Sequence, residues 1–326
     1  MRVLKFGGKS LGSLEKCTEI CKFIKKVYKS EKEIVVVVSA IGITTDSLSN
    51  LAFDYGYEKS LNKSTEISKR EMAKLLSTGE IQSAALFSLC LNSMGVPAKS
   101  LSASDLEIST FGDYLNSKVA YINKSKIEEV LKNKTVAVVA GFQGINKSGD
   151  ITTLGRGGSD TTAVAIASIF DCEAEIYSDY NGVFAGDPKL ASYKKLKNIN
   201  YDTTHLMANA GAKVIDERAN AIAKNFNTTI ISKSSSHPNL KGTIISNIES
   251  DTISIQSLDN LCKVTIIFSN DEKFAMIFKN VINCLKNYKI YNLNYSNHKL
   301  ELVINSSDKT SITAKISKTL NLLQNK

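Results

Sequence analysis

Tryptophan is absent from this chain of 326 residues, proline occurs three times, and long apolar runs are missing. The longest strongly apolar run, at residues 34–38, is far shorter than the roughly 20 residues that a membrane-spanning helix needs. The first residues enter a strand pattern without the charged and apolar regions of a signal peptide. We therefore expect a soluble, cytoplasmic protein with no membrane partner.

Cysteine and histidine are also scarce, with six and three residues respectively. Cys17 and Cys21 lie one helical turn apart on a predicted apolar face, and no C-x-x-C pair or Cys/His cluster exists. This pattern favours buried thiols in a reducing compartment over a disulfide scaffold or a metal site. His205, His237 and His298 fall in predicted loops or turns, so we expect none of them to be a metal ligand or a general base.

Blocks of like charge are missing as well, although 41 basic residues against 32 acidic ones give a net charge of +9. The excess is spread along the chain as scattered lysines, without aromatic interleaving or a nucleic-acid motif. This distribution favours solubility and attraction for anionic substrates, and it argues against a nucleic-acid partner. A composition of 43% hydrophobic and 22% charged residues is typical of a folded protein, and the length suggests about two domains.

Short apolar runs alternate with helical-period segments over roughly the first 230 residues, which predicts parallel β-α-β units. Strands are predicted at residues 3–6, 34–38, 98–102, 119–122, 135–140, 174–177 and 228–232. Helices are predicted at residues 14–28, 46–53, 68–76, 81–94, 160–170 and 212–225.

The pattern changes around residues 241–251. A strand at 264–268, a helix at 273–286, strands at 290–295 and 300–304, and a helix at 310–323 follow. This β-α-β-β-α order is typical of the ferredoxin-like unit. We therefore predict an α/β domain at residues 1–245, with a mostly parallel sheet sandwiched by helices, and a small α+β domain at residues 251–326.

Polar or glycine-rich clusters follow several predicted strands, at residues 5–8, 39–42, 141–144 and 178–182. Because the carboxyl ends of parallel strands share one edge, these clusters are expected to converge on one site. Lys5 beside Gly7 and Gly8 suits a phosphate, although such a sequence also forms ordinary turns. Neither a P-loop nor a G-x-G-x-x-G dinucleotide fingerprint is present.

The strongest signal is T-T-L-G-R-G-G-S-D at residues 152–160, just before a predicted apolar helix. Glycines around Arg156 at a helix N-terminus provide backbone donors, a positive dipole end and a guanidinium fork, which together suit an anion. In the simpler structural interpretation, Ser159 or Asp160 caps the helix. The two interpretations are compatible, and Arg156 between glycines has no evident packing role.

Seven motifs, in this order, resemble those of aspartokinases. They are K-F-G-G at 5–8, S-A-I-G-I-T-T-D at 39–46, L-L-S-T-G-E at 75–80, G-F-Q-G at 141–144, T-T-L-G-R-G-G-S-D at 152–160, Y-S-D-Y-N-G-V-F-A-G-D-P-K at 177–189 and G-A-K-V at 211–214. The resemblance spans most of the first 245 residues. It implies the amino-acid-kinase fold and transfer of the ATP γ-phosphoryl group to the β-carboxylate of L-aspartate, giving 4-phospho-L-aspartate, the first step of lysine, threonine and methionine biosynthesis.

The same resemblance assigns roles to individual residues. Lys5 and Asp160 are implied to be catalytic, with Asp160 organising the lysine. Residues implied to bind ATP are Lys5, Gly7, Gly8, Ser178, Asp179, Phe184, Asp187, Lys189, Lys213 and Val214. Residues implied to bind aspartate are Ser39, Thr45, Glu80, Arg156 and Ser159. Mg²⁺ is expected to arrive with ATP and not in a separate protein site. From the residues alone, Glu80 and Lys189 could equally be surface groups, and Asp187 a turn residue.

The chain also departs from the family pattern. Lys9 stands where the family usually has threonine, and Asp216-Glu217-Arg218 stands where it commonly has His-Pro-Arg. The tail has room for one ACT-like unit instead of two, and its segment 269–272 lacks a glycine, so feedback inhibition is not expected. We expect this tail to pair the chain into a homodimer or larger oligomer. Two alternatives stay open: a relative that uses another acid, and a weakly active or inactive paralogue with a regulatory or assembly role.

Overall fold

The computed structural model describes residues 1–57, 65–188, 192–210, 212, 214–248, 253–258, 263–268, 274–296 and 298–322. The chain divides into two compact units: residues 1–181 with 221–241, and residues 182–220 with 242–326. This division groups residues 182–220 with the C-terminal segment, whereas the sequence predicts one boundary near residue 251.

Strands and helices alternate along most of the chain. The elements up to the end of the ninth strand are β1 (Arg2–Phe6), α1 (Leu14–Ser30), β2 (Ile34–Val38), α2 (Thr44–Asp54), α3 (Thr65–Ser93), β3 (Ala98–Leu101), β4 (Ser109–Asp113), β5 (Asn116–Tyr121), α4 (Lys124–Lys132), β6 (Val136–Ala140), β7 (Gln143–Ile145), β8 (Ile151–Thr153), α5 (Gly158–Ile169) and β9 (Ala174–Ser178). The elements that follow are β10 (Asn198–Asn200), α6 (Tyr201–Asn209), α7 (Glu217–Phe226), β11 (Ile230–Ser234), β12 (Thr243–Ser246), β13 (Ile253–Leu258), β14 (Lys263–Phe268), α8 (Phe274–Cys284), β15 (Ile290–Ser296), β16 (Lys299–Ile304) and α9 (Lys309–Thr319). In the described part of the chain, none of the helices has the length and apolar character needed to cross a membrane.

A parallel sheet lies at the centre of the first unit, with strands in the order β11-β9-β1-β2-β6-β3. Every residue of β2 and β6 is buried, because helices cover both faces of the sheet. Leu4 and Phe6 face a core that includes residues of α1 and α3, whereas Lys5 faces α5 on the opposite side. The predicted α/β class is confirmed, and the six strands lie within two residues of their predicted bounds.

One long helix, α3, replaces the two helices predicted at 68–76 and 81–94. The prediction was wrong because Gly79 does not interrupt this helix. A Cβ atom at Gly79 would lie 3.0 Å from Ala40 Cβ and 3.3 Å from Thr44 Cγ2. The glycine therefore lets α3 approach the loop after β2 closely. This contact outweighs the low helix propensity of glycine.

Two hairpins of the first unit have no counterpart in the strand predictions apart from residues 119–122. The strands β4 and β5 pair antiparallel, as do β7 and β8, and together they form a small sheet in the order β5-β4-β7-β8. These strands are short and carry many polar residues, such as Ser109, Thr110, Thr152 and Thr153, so hydrophobic alternation does not reveal them.

Helix α7 begins at Glu217, later than the predicted start at 212. The Asp216 side chain accepts a hydrogen bond from the Arg218 backbone N–H at 3.0 Å, as a helix-capping residue does. The capping interaction therefore sets the start of the helix, whereas the apolar periodicity extends further toward the N-terminus.

The second unit contains an antiparallel sheet in the order β13-β14-β16-β15. The predicted order of strand, helix, two strands and helix is confirmed by β14, α8, β15, β16 and α9. The strand β13 adds to one edge. Ala185 and Tyr193, from the segment before α6, are buried in the same core as Val264 and Ile316, which explains why residues 182–220 group with the tail.

Candidate active site

A cavity of about 330 Å³ lies in the first unit, at the carboxyl ends of β1 and β2 and beside the start of α5. The sequence-predicted residues that line it are Lys5, Gly7, Gly8, Ser39, Thr45, Glu80, Arg156 and Ser159. Its other lining residues are Lys9, Ala40, Gly42, Phe142, Gly155, Gly157 and Gly158. The expected convergence of strand ends therefore occurs for β1, β2 and, through Phe142, β6, and the loop that precedes α5 joins them.

Lys5 and Asp160 form an ion pair inside this region, with 2.6 Å between Lys5 Nζ and Asp160 Oδ1. Lys5 is the fourth residue of β1, and Asp160 lies in the first turn of α5. Their side chains are only 12% and 16% exposed, so water screens the attraction weakly. The pair holds the ammonium group at the cavity, while the helix N-terminus stabilises the carboxylate.

The loop after β1 packs tightly against the loop after β2. A Cβ atom at Gly8 would lie 2.3 Å from the Ala40 carbonyl oxygen, and the Gly42 N–H donates a hydrogen bond to the Gly8 oxygen at 2.9 Å. Only glycine permits this approach at position 8. Gly7 has more room, because a Cβ atom there would meet only Lys5 Nζ, at 3.5 Å, and its φ of −75° suits any residue.

We expect Gly8→Ala to lower the free energy of unfolding by about 2 to 3 kcal/mol, since the new methyl group must push two backbones apart. Gly7→Ala is the matched control, and its effect is expected to stay below about 1 kcal/mol. Urea unfolding of both variants measures the difference. Equal stability of the two variants would show that the contact between Gly8 and Ala40 does not constrain the loops.

Glu80 reaches the cavity from the middle of α3 and is 3% exposed. Its Oε1 accepts a hydrogen bond from the Ala40 N–H at 3.0 Å, whereas the buried Oε2 has no hydrogen-bond partner among the residues that the structure describes. Burial raises the pKa of Glu80 from 4.5 to about 7, although the Ala40 N–H and the charge of Lys5 both lower it. Such a carboxylate gains a partner when a cationic group enters the cavity.

The loop around Arg156 is shaped by its glycines. Gly155 and Gly157 have φ angles of +70° and +71°, a left-handed conformation that glycine adopts most readily. Gly157 is the N-cap of α5, and no side chain of the described residues caps this helix, so the interpretation of Ser159 or Asp160 as a capping residue was wrong. The Asp160 side chain instead pairs with Lys5, and Ser159 lines the cavity.

The Ser159 side chain packs closely against the backbone of Gly141. A Cβ atom at Gly141 would lie 2.8 Å from Ser159 Cβ and 2.9 Å from its Oγ. The first glycine of the G-F-Q-G motif therefore makes room for a residue that lines the cavity. Phe142, next in that motif, also lines the cavity with a positive φ of 71°. Its position within the motif is the signal that could have identified it.

Apart from Lys5, Gly7 and Gly8, the described residues predicted for the nucleotide do not line this cavity. Asp179 lines a second cavity of the first unit, of about 640 Å³, together with Ser10 and Lys16. The Ser178 hydroxyl accepts a hydrogen bond from the Tyr180 N–H, which shapes the turn after β9. Phe184, Asp187 and Val214 belong to the second unit, and Lys189 and Lys213 lie outside the described residues.

Residues 1–232 match the sequence profile of the amino acid kinase family. The chain belongs to the amino acid kinase family. An aspartokinase of Geobacillus stearothermophilus is 38% identical over 292 residues, which cover 87% of this chain and 69% of that protein. An aspartokinase of Bacillus sp. (strain MGA3) is 42% identical over 245 residues, which cover 74% of this chain and 57% of that protein. The predicted resemblance to aspartokinases is confirmed.

A solved structure supports the same fold. The crystal structure of E. coli aspartokinase III in complex with aspartate and ADP superposes with a TM-score of 0.75 at 19% sequence identity. The match covers 98% of this chain and 100% of that chain. The amino-acid-kinase fold predicted from the motifs is thereby confirmed.

Proposed function

We propose that this member of the amino acid kinase family is an aspartate kinase, which transfers the γ-phosphoryl group of ATP to the β-carboxylate of L-aspartate. The observation that carries the proposal is one cavity lined by a paired lysine, an arginine between glycines and a buried carboxylate. One oxygen of this carboxylate accepts no hydrogen bond within the described part of the chain. An amino acid with two carboxylates and one ammonium group offers the complementary charges. The names of the relatives at 38% and 42% identity agree with this substrate.

Aspartate binding is assigned to the polar groups of the cavity. Arg156 presents a planar guanidinium group that can bind a carboxylate through two hydrogen bonds. The Oε2 atom of Glu80 is the acceptor for the α-ammonium group, because a buried oxygen without a partner gains most from a cationic donor. The hydroxyl groups of Ser39, Thr45 and Ser159 complete the site as hydrogen-bond donors.

The reaction needs positioning and charge compensation more than proton transfer. A carboxylate with a pKa near 4 is already ionised at pH 7, so no general base is required. One of its oxygens forms the bond to the γ-phosphorus, and the bond from that phosphorus to the bridging oxygen of ADP breaks. Lys5 stabilises the negative charge on the transferring group, and Asp160 holds the Lys5 ammonium in place.

Mg²⁺ is assigned to the nucleotide. The cavity has two carboxylates nearby, and that of Asp160 is already paired with Lys5. This donor set fits a cation carried mainly by substrate phosphates and not one held in a cage of protein carboxylates. When bound with ATP, Mg²⁺ neutralises phosphate charge. The protein residues proposed around the nucleotide are Lys5, Gly7, Gly8, Ser178, Asp179, Phe184, Asp187, Lys189, Lys213 and Val214.

The remaining assignments follow from the proposed activity. The product belongs to the biosynthesis of lysine, threonine and methionine, and the cytoplasm is the expected location. Residues 1–245 are proposed as the kinase domain, and residues 251–326 as a single ACT-like domain through which two chains pair.

A hydroxamate assay tests the proposed activity directly. The protein is incubated with ATP, Mg²⁺, hydroxylamine and L-aspartate, and aspartyl hydroxamate is measured; a parallel reaction contains L-glutamate. We expect product from aspartate only. Product only with another acid would overturn the substrate assignment, and no product with any acid would favour a regulatory or assembly role.

We expect Arg156→Ala to raise the KM for aspartate by about 10- to 100-fold, since a charge-assisted hydrogen-bonded pair is worth about 1.5 to 3 kcal/mol. ATP binding should change little. Steady-state kinetics with each substrate varied in turn measures this. Arg70, which pairs with Asp150 outside the cavity, provides the control variant Arg70→Ala. An unchanged KM for aspartate in Arg156→Ala would remove the proposed role.

A further inference from the structure

Three cysteine side chains converge in the first unit at a place that the proposed reaction does not use. Cys17 and Cys21 lie on α1, and Cys90 lies on α3. Their three sulfur atoms are all within 4.8 Å of one another. From the sequence, only Cys17 and Cys21 are predicted to be neighbours, because they share one helix face. Cys90 is distant in sequence, and only the packing of α1 against α3 brings it to them.

We propose that these three thiols form a binding site for a single soft, thiophilic metal ion of the Cu(I) class, held as three thiolates between α1 and α3. Sulfur ligands favour soft ions such as Cu(I) over hard ions such as Mg²⁺. Metal–sulfur bonds of about 2.3 Å place ligand sulfurs about 4 Å apart, so small side-chain rotations close the observed arrangement around an ion.

The number of ligands selects among soft ions. Within the part of the chain that the structure describes, no histidine, aspartate, glutamate or further cysteine joins the three sulfurs as a fourth ligand. Zn²⁺ in a structural site almost always takes four ligands in a tetrahedron. Cu(I) accepts three thiolates in a plane, so the three-sulfur set fits it better.

The surroundings of the cluster support this assignment. Cys17 and Cys21 belong to the buried apolar core, and Cys90 packs against that core while keeping partial exposure. Binding replaces the three S–H protons, which go to solvent, and transfers no electrons.

Anaerobic titration of the reduced full-length protein with Cu(I), against a coloured Cu(I) chelator, tests the proposal. We expect the wild type to bind one equivalent and Cys90→Ser to bind at least tenfold more weakly. Cys172→Ser is the matched control, since Cys172 is also partly buried but lies away from the cluster. Zn²⁺ should compete poorly. The thermal midpoint should rise with Cu(I) in the wild type and in Cys172→Ser, but much less in Cys90→Ser.

Cys17→Ala is the second variant in case Cys90→Ser folds poorly, because alanine keeps a small apolar side chain in the core. Equal Cu(I) affinity in the wild type and in both cluster variants would overturn the proposal. A wild type that takes up no Cu(I) while its thiols stay reduced and titratable would also overturn it. Neither readout depends on kinase activity, so the proposed function and this site can fail independently.

Discussion

Lys5→Ala is expected to lower kcat for aspartyl phosphate formation by about 1,000-fold. Lys5 lines the cavity, and an ion pair of 2.6 Å with Asp160 fixes the position of its ammonium group. Removing one preorganised group that stabilises developing negative charge commonly costs about 100- to 1,000-fold, and phosphoryl transfer depends almost entirely on such groups. The hydroxamate assay at saturating substrates measures this loss.

The control for this variant must separate catalysis from folding. Lys132→Ala removes an exposed lysine at the end of α4, and its kcat should match that of the wild type. Lys5→Ala leaves Asp160 without its cation, so its thermal midpoint is measured alongside. We expect aspartate still to bind to the folded variant. A folded Lys5→Ala protein with a near-normal kcat would contradict the assignment of Lys5 to the reaction.

Glu80→Gln is expected to raise the KM for aspartate about 100-fold, because the neutral amide cannot neutralise the α-ammonium group in a buried place. The wild-type KM should also depend on pH. Since burial raises the pKa of Glu80 to about 7, the carboxylate is ionised only above that pH in the free protein. The KM for aspartate should therefore fall as pH rises through about 7. In Glu80→Gln, the KM should depend much less on pH.

The same variant is expected to be more stable than the wild type at pH 8. A glutamate whose pKa rises from 4.5 in the unfolded chain to about 7 in the folded protein binds its proton more tightly when folded. As pH rises from about 4.5 to about 7, this carboxyl group therefore lowers the free energy of unfolding, by ~3 kcal/mol at most. The neutral amide of the variant carries no such cost, so the free energy of unfolding should rise at pH 8 and change little at pH 4.

Glu71→Gln provides the matched control, since Glu71 is exposed on the same helix, α3. It should change neither the KM for aspartate nor the pH dependence of stability. An unchanged KM in Glu80→Gln would remove the proposed contact with the ammonium group. Equal stability of Glu80→Gln and the wild type at pH 8 would show that folding does not raise the pKa of this carboxyl group.

Much of the parallel sheet could be predicted from the sequence, because strands that are buried on both faces have continuous apolar sequences. The strands β2 and β6 are examples, and both are buried throughout. The cavity could be predicted in part for a topological reason: residues that follow parallel strands meet at one edge. Lys5 and Ser39 therefore line the same cavity, although they lie far apart in the chain.

The features that sequence patterns missed depend on contacts between distant segments. Gly79 has the pattern of a helix break, but its lack of a Cβ atom serves the contact with Ala40. Cys90 gains significance only because α3 packs against α1. Tyr193, which follows the motif proposed for the nucleotide, is buried in the core of the C-terminal sheet and accepts a hydrogen bond from the Ser317 hydroxyl. Periodicity describes one element at a time, so it does not contain such information.

The shared core of residues 182–220 and the tail has a consequence for dissecting the protein. A fragment that ends at residue 245 would keep Ala185 and Tyr193 but would lose the residues that bury them, among them Val264, Ile277, Leu300 and Ile316. The apolar surface that these residues cover would then be exposed to solvent, which favours aggregation. The tail is thus a structural component of the segment proposed to hold the nucleotide, and it cannot be removed as an independent appendage.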